Sequence, residues 1–183
     1  MRIRDFTGKN VFLVGGSSGI GLATAGALAR RGAHVTVFGR RLEPLQAAVA
    51  EIAGQRLSPE QRIEYAQLDA TDRRQVAEVM GAAVAELSAP DVLINLAGRA
   101  QPGYFEQISA EQMVETLRQN LHTCWHTTAA LVPHMASGSY IVNTASLAGL
   151  IGVFGYTDYC AAKFAVVGFS AALRSDLRPR GTG

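Results

Sequence analysis

The chain has 183 residues, of which 48% are hydrophobic and 17% are charged, and its formal net charge is +2. This length is enough for one well-buried domain, and we predict a single domain over residues 1–183. The small net charge, without any block of lysine or arginine, argues against nucleic acid and anionic membranes as partners.

The N-terminus, 1–10, is too polar for a signal peptide, and no apolar run approaches the roughly 20 residues of a membrane span. The two cysteines, Cys124 and Cys160, form no C-x-x-C pair and indicate reduced thiols. We therefore expect a cytoplasmic protein with no integral membrane segment.

A short apolar run at 10–14 is followed by a glycine-rich loop and then by a helical pattern. The run predicts a strand buried on both faces. Glycines let the backbone approach phosphates closely, and the free N–H groups of a helix N-terminus stabilise negative charge. We therefore predict a pyrophosphate site in the segment G-G-S-S-G-I-G, made by Gly15, Ser17, Ser18, Gly19, Ile20 and Gly21.

The second predicted strand, 34–38, is followed by Gly39 and two arginines, Arg40 and Arg41. In NAD-binding units an acidic residue near this place binds the ribose 2′-hydroxyl. Arginine instead provides a charge and a fork of donors that suit a 2′-phosphate, so the sequence favours NADP(H). The alternative is a solvated arginine pair at the end of a strand.

The rest of the chain continues to alternate strands and helices with short links. Such alternation predicts an α/β fold with a parallel sheet and helices on both faces. The remaining predicted elements are a helix over 42–53, a strand over 62–68, a helix capped by Thr71 or Asp72 to about Leu87, a strand over 91–94, a helix capped by Ser109 with Gln112 to about Met135 and bent near Pro133, a strand over 140–145, and a helix over 157–177.

Tyr159 and Lys163 are four residues apart and would share one face of the last helix. A free tyrosine has a pKa of about 10. A nearby ammonium group favours the phenolate and lowers that pKa, which suits acid–base chemistry near neutral pH. Ser146 follows the fifth predicted strand, at the sheet edge where open α/β sheets bind ligands. The same Tyr–Lys spacing also occurs in helices where it has only a structural role.

Taken in order, these features resemble the short-chain dehydrogenase/reductase family over nearly the whole chain. The resemblance implies a three-layer Rossmann-type fold, a nicotinamide cofactor, and reversible hydride transfer between a ketone and a secondary alcohol. It also implies a homodimer or homotetramer built through the helices near 110–135 and 157–177. The residues that carry it are Gly15, Gly19, Gly21, Asp69, Asn95, Ala97, Gly98, Asn120, Ser146, Tyr159 and Lys163.

The resemblance implies four catalytic residues. Tyr159 would donate the proton to the carbonyl oxygen, and Lys163 would assist it and bind the nicotinamide ribose. Ser146 would donate a hydrogen bond to the substrate oxygen, and Asn120 would help hold a water that relays protons to Lys163. For the cofactor, the resemblance implies Leu68 and Asp69 beside the adenine, Asn95 steadying the sheet edge, and Ala97 and Gly98 backing the cofactor.

The chain departs from the family pattern in three places. Val14 stands where the family usually has threonine before the first glycine, which removes one hydroxyl from the loop. Leu96 replaces the second asparagine of the usual N-N-A-G segment, at a cost in local hydrogen bonding. The sequence stops at Gly183, so we expect the family's sixth and seventh strands and substrate loop to be lacking, with one sheet edge exposed.

Within the family, the segments 152–165 and 103–106 are similar to 3-ketodihydrosphingosine reductases. Apolar residues fall between Ser146 and Tyr159 and in the loop after the fourth strand, where they would line the substrate pocket. We therefore expect an apolar or lipid-like ketone such as 3-ketodihydrosphingosine, with a 3-oxoacyl thioester as the alternative. The predicted lining residues are Tyr104, Phe105, Leu147, Leu150, Ile151, Val153 and Phe154, unless some of them belong to the core.

Other interpretations of single residues are weaker. His122 and His126 have a spacing that can bind zinc, but no third ligand is evident, so no metal site is predicted. Cys160 is expected to pack rather than to react, and Ser146 lacks the G-x-S-x-G elbow of a hydrolase. For the whole chain, the alternative to an enzyme is a non-catalytic NADP-binding sensor or scaffold. The intact catalytic set favours the enzyme, whereas the lacking C-terminal strands favour the sensor.

Overall fold

The computed structural model of the chain describes residues 5–182. Their centre is a sheet of five strands, β1 (Asn10–Val14), β2 (His34–Gly39), β3 (Ile63–Gln67), β4 (Val92–Asn95) and β5 (Tyr140–Asn143). All pair in parallel, in the order β3-β2-β1-β4-β5. The chain thus places β2 and β3 on one side of β1 and then crosses to its other side, where it places β4 and β5. Ligands bind at such a reversal point in open α/β sheets.

Helices cover both faces of this sheet, as predicted. They are α1 (Gly19–Ala29), α2 (Leu42–Ala53), α3 (Arg73–Leu87), α4 (Ala110–Leu117), α5 (Thr123–Leu131) and α6 (Thr157–Leu177). α1 and α2 pack on one face in a core with Val11 and Leu13 of β1. α3 and α5 pack on the other face with Phe12 and Val14. Every residue of β1 is buried, as expected for a central parallel strand.

Most predicted boundaries agree with the structure, and α2 and α6 have the predicted ends. Asp72, rather than Thr71, caps α3, because its carboxylate accepts from the backbone N–H groups of Arg74 and Gln75. Ser109 caps α4 by accepting from the N–H of Gln112. The predicted ends of β2, β3, β4 and β5 were off by one or two residues.

The predicted continuous helix up to Met135, bent near Pro133, is wrong. The segment is interrupted by a π-helical turn, Arg118–His122, and α5 ends at Leu131. The end before Pro133 follows from the missing N–H of proline, which cannot donate to the carbonyl four residues earlier. The π turn inserts one extra residue into the helix, and such insertions occur frequently at functional sites.

The strand β5 forms one edge of the sheet. Within residues 5–182 it pairs with β4 alone, and Val142 is 46% exposed. No helix within this described part of the chain is long and apolar enough to cross a bilayer.

Candidate active site

A cleft of about 430 Å³ opens at the carboxyl ends of β1, β2 and β4. It lies where the strand order reverses, which is the expected place for a nucleotide. Most of the residues predicted from the sequence to bind the cofactor contribute to its wall. They are Gly15, Ser17, Ser18, Gly19, Ile20, Gly21, Arg40, Arg41, Leu68, Asp69, Ala97 and Gly98.

The glycine loop follows β1 and turns tightly against the loop after β4. Gly15 has φ +88°, and a Cβ atom there would lie 2.7 Å from the backbone nitrogen of Ala97. Its own N–H donates to the carbonyl of Phe38 at 2.8 Å. A side chain at position 15 would therefore force apart two loops that together form the cleft.

Replacing Gly15 by alanine should lower the free energy of unfolding by about 2–3 kcal/mol, because both the backbone angle and the contact with Ala97 become unfavourable. The matched control is Gly81→Ala in α3. A Cβ there meets nothing within 4 Å, and the helix should gain up to about 1 kcal/mol. Urea denaturation measures both variants. A Gly15→Ala protein as stable as the wild type would contradict the tight turn.

The N-terminus of α1 points its backbone N–H groups at the cleft. Ser18 caps this helix by backbone geometry, but its side chain makes no capping hydrogen bond, and the first turn holds no acidic residue. The positive end of the helix is therefore not compensated by the chain's own carboxylates. Together with the glycine loop, this arrangement can hold a pyrophosphate.

The opposite wall of the cleft carries charged groups at the end of β2. Arg40 and Arg41 are both exposed there. Burial raises the pKa of Asp69, but hydrogen bonds from Thr71 and the charges of Arg40 and Arg118 outweigh it and hold that pKa below its usual value. The carboxylate oxygen Oδ1 of Asp69 accepts from the hydroxyl of Thr71 at 2.7 Å and from its N–H at 2.9 Å. The hydrogen bonds from Thr71 thus hold Asp69 as an anion, and the charges of Arg40 and Arg118 act on it.

The structure brings Tyr159 and Lys163 together on one face of α6. The Nζ atom of Lys163 lies 5.6 Å from the centroid of the Tyr159 ring and donates to the carbonyl of Thr144 at 2.9 Å. Lys163 is only 5% exposed, and burial lowers its pKa, while the nearby Cys124 thiol opposes that shift. Thr144 and Gly98 line the cleft, so Lys163 lies directly behind its wall.

Asn120 lies in the π-helical turn and is fully buried. Its Nδ2 donates to the carbonyls of Arg99 at 2.8 Å and Thr116 at 3.0 Å, whereas its Oδ1 has no partner among the described residues. A Cβ added to Gly98 would lie 2.6 Å from this Oδ1 and 3.5 Å from the Nζ of Lys163. A buried acceptor without a partner is costly, and a bound water molecule would satisfy it.

Ser146 lies three residues beyond β5, not at its end as the strand prediction over 140–145 implied. It caps a short 3-10 turn, where its Oγ accepts from the N–H of Ala148 at 3.2 Å. Its own hydroxyl proton stays available for donation. The turn packs on α6, since a Cβ added to Gly149 would lie 2.7 Å from the carbonyl oxygen of Lys163.

Three of the predicted cofactor residues, Asn95, Tyr159 and Lys163, do not line the cleft. For Asn95, its hydrogen bonds give the reason. It is 2% exposed; its Oδ1 accepts from Thr127 at 2.8 Å and its Nδ2 donates to Asn143 at 2.9 Å. These bonds join β4 to α5 and to β5. The cleft also has lining residues that the sequence did not indicate, namely Thr71, Arg99, Gln119, Thr123 and Thr144.

The apolar residues expected in the substrate pocket lie on the surface, outside the cleft. All seven are between 36% and 84% exposed, so the alternative that they belong to the core is wrong. Tyr104 and Phe154 make an edge-to-face contact with ring centroids 5.7 Å apart. Gly103 donates to the carbonyl of Gly155 at 2.9 Å, which ties the two loops together.

The remaining candidate residues are Cys160, His122 and His126. Cys160 is 8% exposed, and its sulfur accepts from the N–H of Val153 at 3.3 Å, which agrees with the expected packing role. The rings of His122 and His126 are 5.8 Å apart, and one nitrogen of His126 lies 3.2 Å from the carbonyl of Ala70. Within residues 5–182, no cluster of three His, Cys, Asp or Glu side chains is arranged to hold a metal ion.

Comparison with known proteins agrees with this geometry. A family model described as short chain dehydrogenase matches residues 9–182. A 3-ketodihydrosphingosine reductase of Dictyostelium discoideum is 34% identical, over 94% of this chain and 56% of its own length. A 3-oxoacyl-(acyl-carrier-protein) reductase of Chlamydia trachomatis is 30% identical, over 92% of this chain and 68% of its own. This chain spans about half the length of the sphingoid reductases that it matches.

Solved structures share the fold. A dehydrogenase/reductase from Sinorhizobium meliloti superposes with a TM-score of 0.90 at 29% identity, over 97% of this chain and 70% of that one. A variant of actinorhodin polyketide ketoreductase, solved with NADPH, gives a TM-score of 0.87 at 27% identity, over 96% of this chain and 67% of that one. The three-layer Rossmann-type prediction is therefore confirmed.

Proposed function

Because this chain belongs to the short-chain dehydrogenase family, we propose that it is an NADP(H)-dependent oxidoreductase that interconverts a ketone and a secondary alcohol. The observation that carries the proposal is the group of Tyr159, Lys163 and Asn120 behind Gly98 and Thr144, two residues of the cleft wall. A sensor or scaffold has no use for a buried lysine paired with a tyrosine, or for an acceptor left open beside it.

The cleft suits a nicotinamide dinucleotide by its chemistry. The uncompensated N-terminus of α1 would hold the pyrophosphate, and Arg40, with Arg41, would face the 2′-phosphate. Leu68 and Asp69 would flank the adenine, and Ala97 with Gly98 would back the cofactor. Once bound, such a cofactor supplies the hydride that reduces the carbonyl carbon.

The chain's own residues would transfer the proton and form hydrogen bonds to the substrate oxygen. Tyr159 donates its hydroxyl proton to the carbonyl oxygen, and Ser146 donates a hydrogen bond to the same atom. The Lys163 ammonium, held by the carbonyl of Thr144, stabilises the phenolate that forms. A water bound by Oδ1 of Asn120 restores the proton through Lys163.

For the substrate, we propose a ketone on an apolar framework, with 3-ketodihydrosphingosine as the leading specific case. The seven exposed apolar side chains, which lie between Ser146 and Tyr159 and in the loop after β4, support this class, and so does the name of the Dictyostelium relative. A 3-oxoacyl thioester is the second candidate. It is favoured by the Chlamydia relative and by Arg99, which places a cation at the cleft. Assembly into dimers or tetramers and a cytoplasmic location stay predictions.

The substrate proposal is tested by NADPH consumption with 3-ketodihydrosphingosine, a steroid ketone, acetoacetyl-CoA and a small diketone. Phe154 is 84% exposed, and burying such a ring against a lipid stabilises the complex by about 1.5–3 kcal/mol. Phe154→Ala should therefore raise KM for the long-chain ketone roughly 10–150-fold and leave the small diketone unaffected. Leu57→Ala, at an exposed site away from the cleft, is the control. A preference for acetoacetyl-CoA would defeat the lipid assignment alone.

A further inference from the structure

A buried carboxylate stands next to Tyr159 and has no part in the chemistry above. Asp158 is 2% exposed. Its Oδ1 accepts from the N–H of Tyr159 at 2.8 Å, and its Oδ2 accepts from the hydroxyl of Thr116 at 2.6 Å and from the amide of Gln112 at 3.5 Å. No ion pair to it occurs within the described part of the chain. Neutral donors and the positive end of α6 therefore stabilise its charge.

Thr116 connects this carboxylate to a second predicted catalytic residue. Its hydroxyl donates to Asp158 on α6, while its backbone carbonyl accepts from Nδ2 of Asn120 at 3.0 Å. One residue of α4 thus joins the start of the helix that carries Tyr159 and Lys163 to the π turn that carries Asn120. These helices approach each other at this point, 42 residues apart in the chain.

Packing alone does not require such a pair. An apolar pair of similar volume often stabilises a helix contact as well as a buried charge does, without the cost of removing that charge from water. The carboxylate differs from an apolar side chain in that its hydrogen bond is directional. The 2.6 Å bond to Thr116 therefore fixes the position of α6 along α4. The Nζ of Lys163 and the Oδ1 of Asn120 both lie within 3.5 Å of one point beside Gly98. A shift of α6 would change that spacing directly.

We propose that Asp158 and Thr116 are positioning residues, whose hydrogen bond sets the register of α6 against the π turn and so aligns Tyr159 and Lys163 with Asn120. This inference rests on the proposed function. Displacing a reacting group by about 1 Å can cost up to about 100-fold in rate. Neither residue lines the cleft, so their effect should appear in turnover rather than in binding.

The decisive variant is Thr116→Val, which keeps the shape of the side chain and removes the hydroxyl. We expect kcat to fall about 10–100-fold with the dissociation constant of NADPH unchanged. The solvent deuterium isotope effect on kcat should rise, because proton delivery becomes more rate-limiting. Thr116→Ser, which keeps the hydroxyl, should recover most of the rate. Thr36→Val in β2 makes the same chemical change at another buried threonine and should leave kcat unaltered.

Each other outcome overturns the inference. Wild-type kcat in Thr116→Val would show that the hydrogen bond positions nothing. An equal loss in Thr116→Ser would assign the effect to packing, and loss of NADPH binding together with a lower melting temperature would assign it to stability. If Thr116→Val does not fold, Asp158→Asn replaces the acceptor Oδ2 by a donor and should show the same fall in kcat; wild-type kcat there overturns the inference. A wild-type protein that reduces no ketone overturns the proposed function and this inference with it.

Discussion

Tyr159→Phe is expected to lower kcat by about 100- to 10,000-fold while the affinity for NADPH changes by less than about twofold. The substitution keeps the ring that packs beside Lys163 and removes only the hydroxyl that carries the proton. Because Lys163 is buried and bonded to the carbonyl of Thr144, its position does not depend on the phenol. Single-turnover oxidation of NADPH with a reactive diketone, alongside a direct binding titration, measures both quantities.

The chain offers a matched control in Tyr156, whose ring centroid lies 5.9 Å from that of Tyr159. Tyr156→Phe removes the same hydroxyl from a neighbouring tyrosine that precedes α6 and lies seven residues before Lys163. It should leave the rate near that of the wild type. A Tyr159→Phe protein that still turns over at a tenth of the wild-type rate, or a Tyr156→Phe protein with the larger loss, would contradict the assignment of the proton donor.

The parts of the fold that follow from local pattern were predictable from the sequence. The apolar run of β1, the glycines after it and the start of α1 lie within 12 residues, and each has a local physical cause. α2 and α6 were also predicted with their observed ends, because the loops and proline around them give local stop signals. The same holds for Asp72 and Ser109, whose side chains satisfy N–H groups two or three residues away.

No local sequence signal predicted the π turn. An extra residue in a helix leaves the composition and the apolar period nearly unchanged, so the segment was predicted as one continuous helix. The turn sets the surroundings of Asn120, whose open Oδ1 depends on Gly98 and Lys163 from two other parts of the chain. The resemblance to a family identified Asn120 as a candidate catalytic residue. The unpaired acceptor beside Lys163, in contrast, is visible only in the tertiary structure.

The other features that the sequence did not predict depend on contacts between residues far apart in the chain. Thr144 meets Lys163 through a backbone carbonyl, which any residue type provides, and Thr116 meets Asp158 across 42 residues. Neither contact leaves a pattern in the sequence. The sequence shows that the residues around Phe154 are apolar. Whether they line a cavity or lie exposed depends on which other segments pack over them.

The second large effect concerns the choice of cofactor. Arg40→Asp should lower the affinity for NADPH about 10–150-fold, because charge-assisted hydrogen bonds to a 2′-phosphate contribute about 1.5–3 kcal/mol. The guanidinium of Arg40 already acts across the cleft, since it helps to lower the pKa of Asp69. The affinity for NADH should stay the same or rise, as a carboxylate at this place suits a 2′-hydroxyl.

Titration of both cofactors into the wild type, Arg40→Asp and Arg56→Asp tests this expectation. Arg56 is exposed in the loop after α2 and does not line the cleft, so its substitution makes the same change in net charge without the contact. Added salt should weaken the preference for NADPH in the wild type, because both partners are partly open to solvent. Equal affinities of the wild type for NADPH and NADH would refute the role of Arg40. A loss of NADPH affinity in Arg56→Asp as large as in Arg40→Asp would assign the preference to overall charge instead.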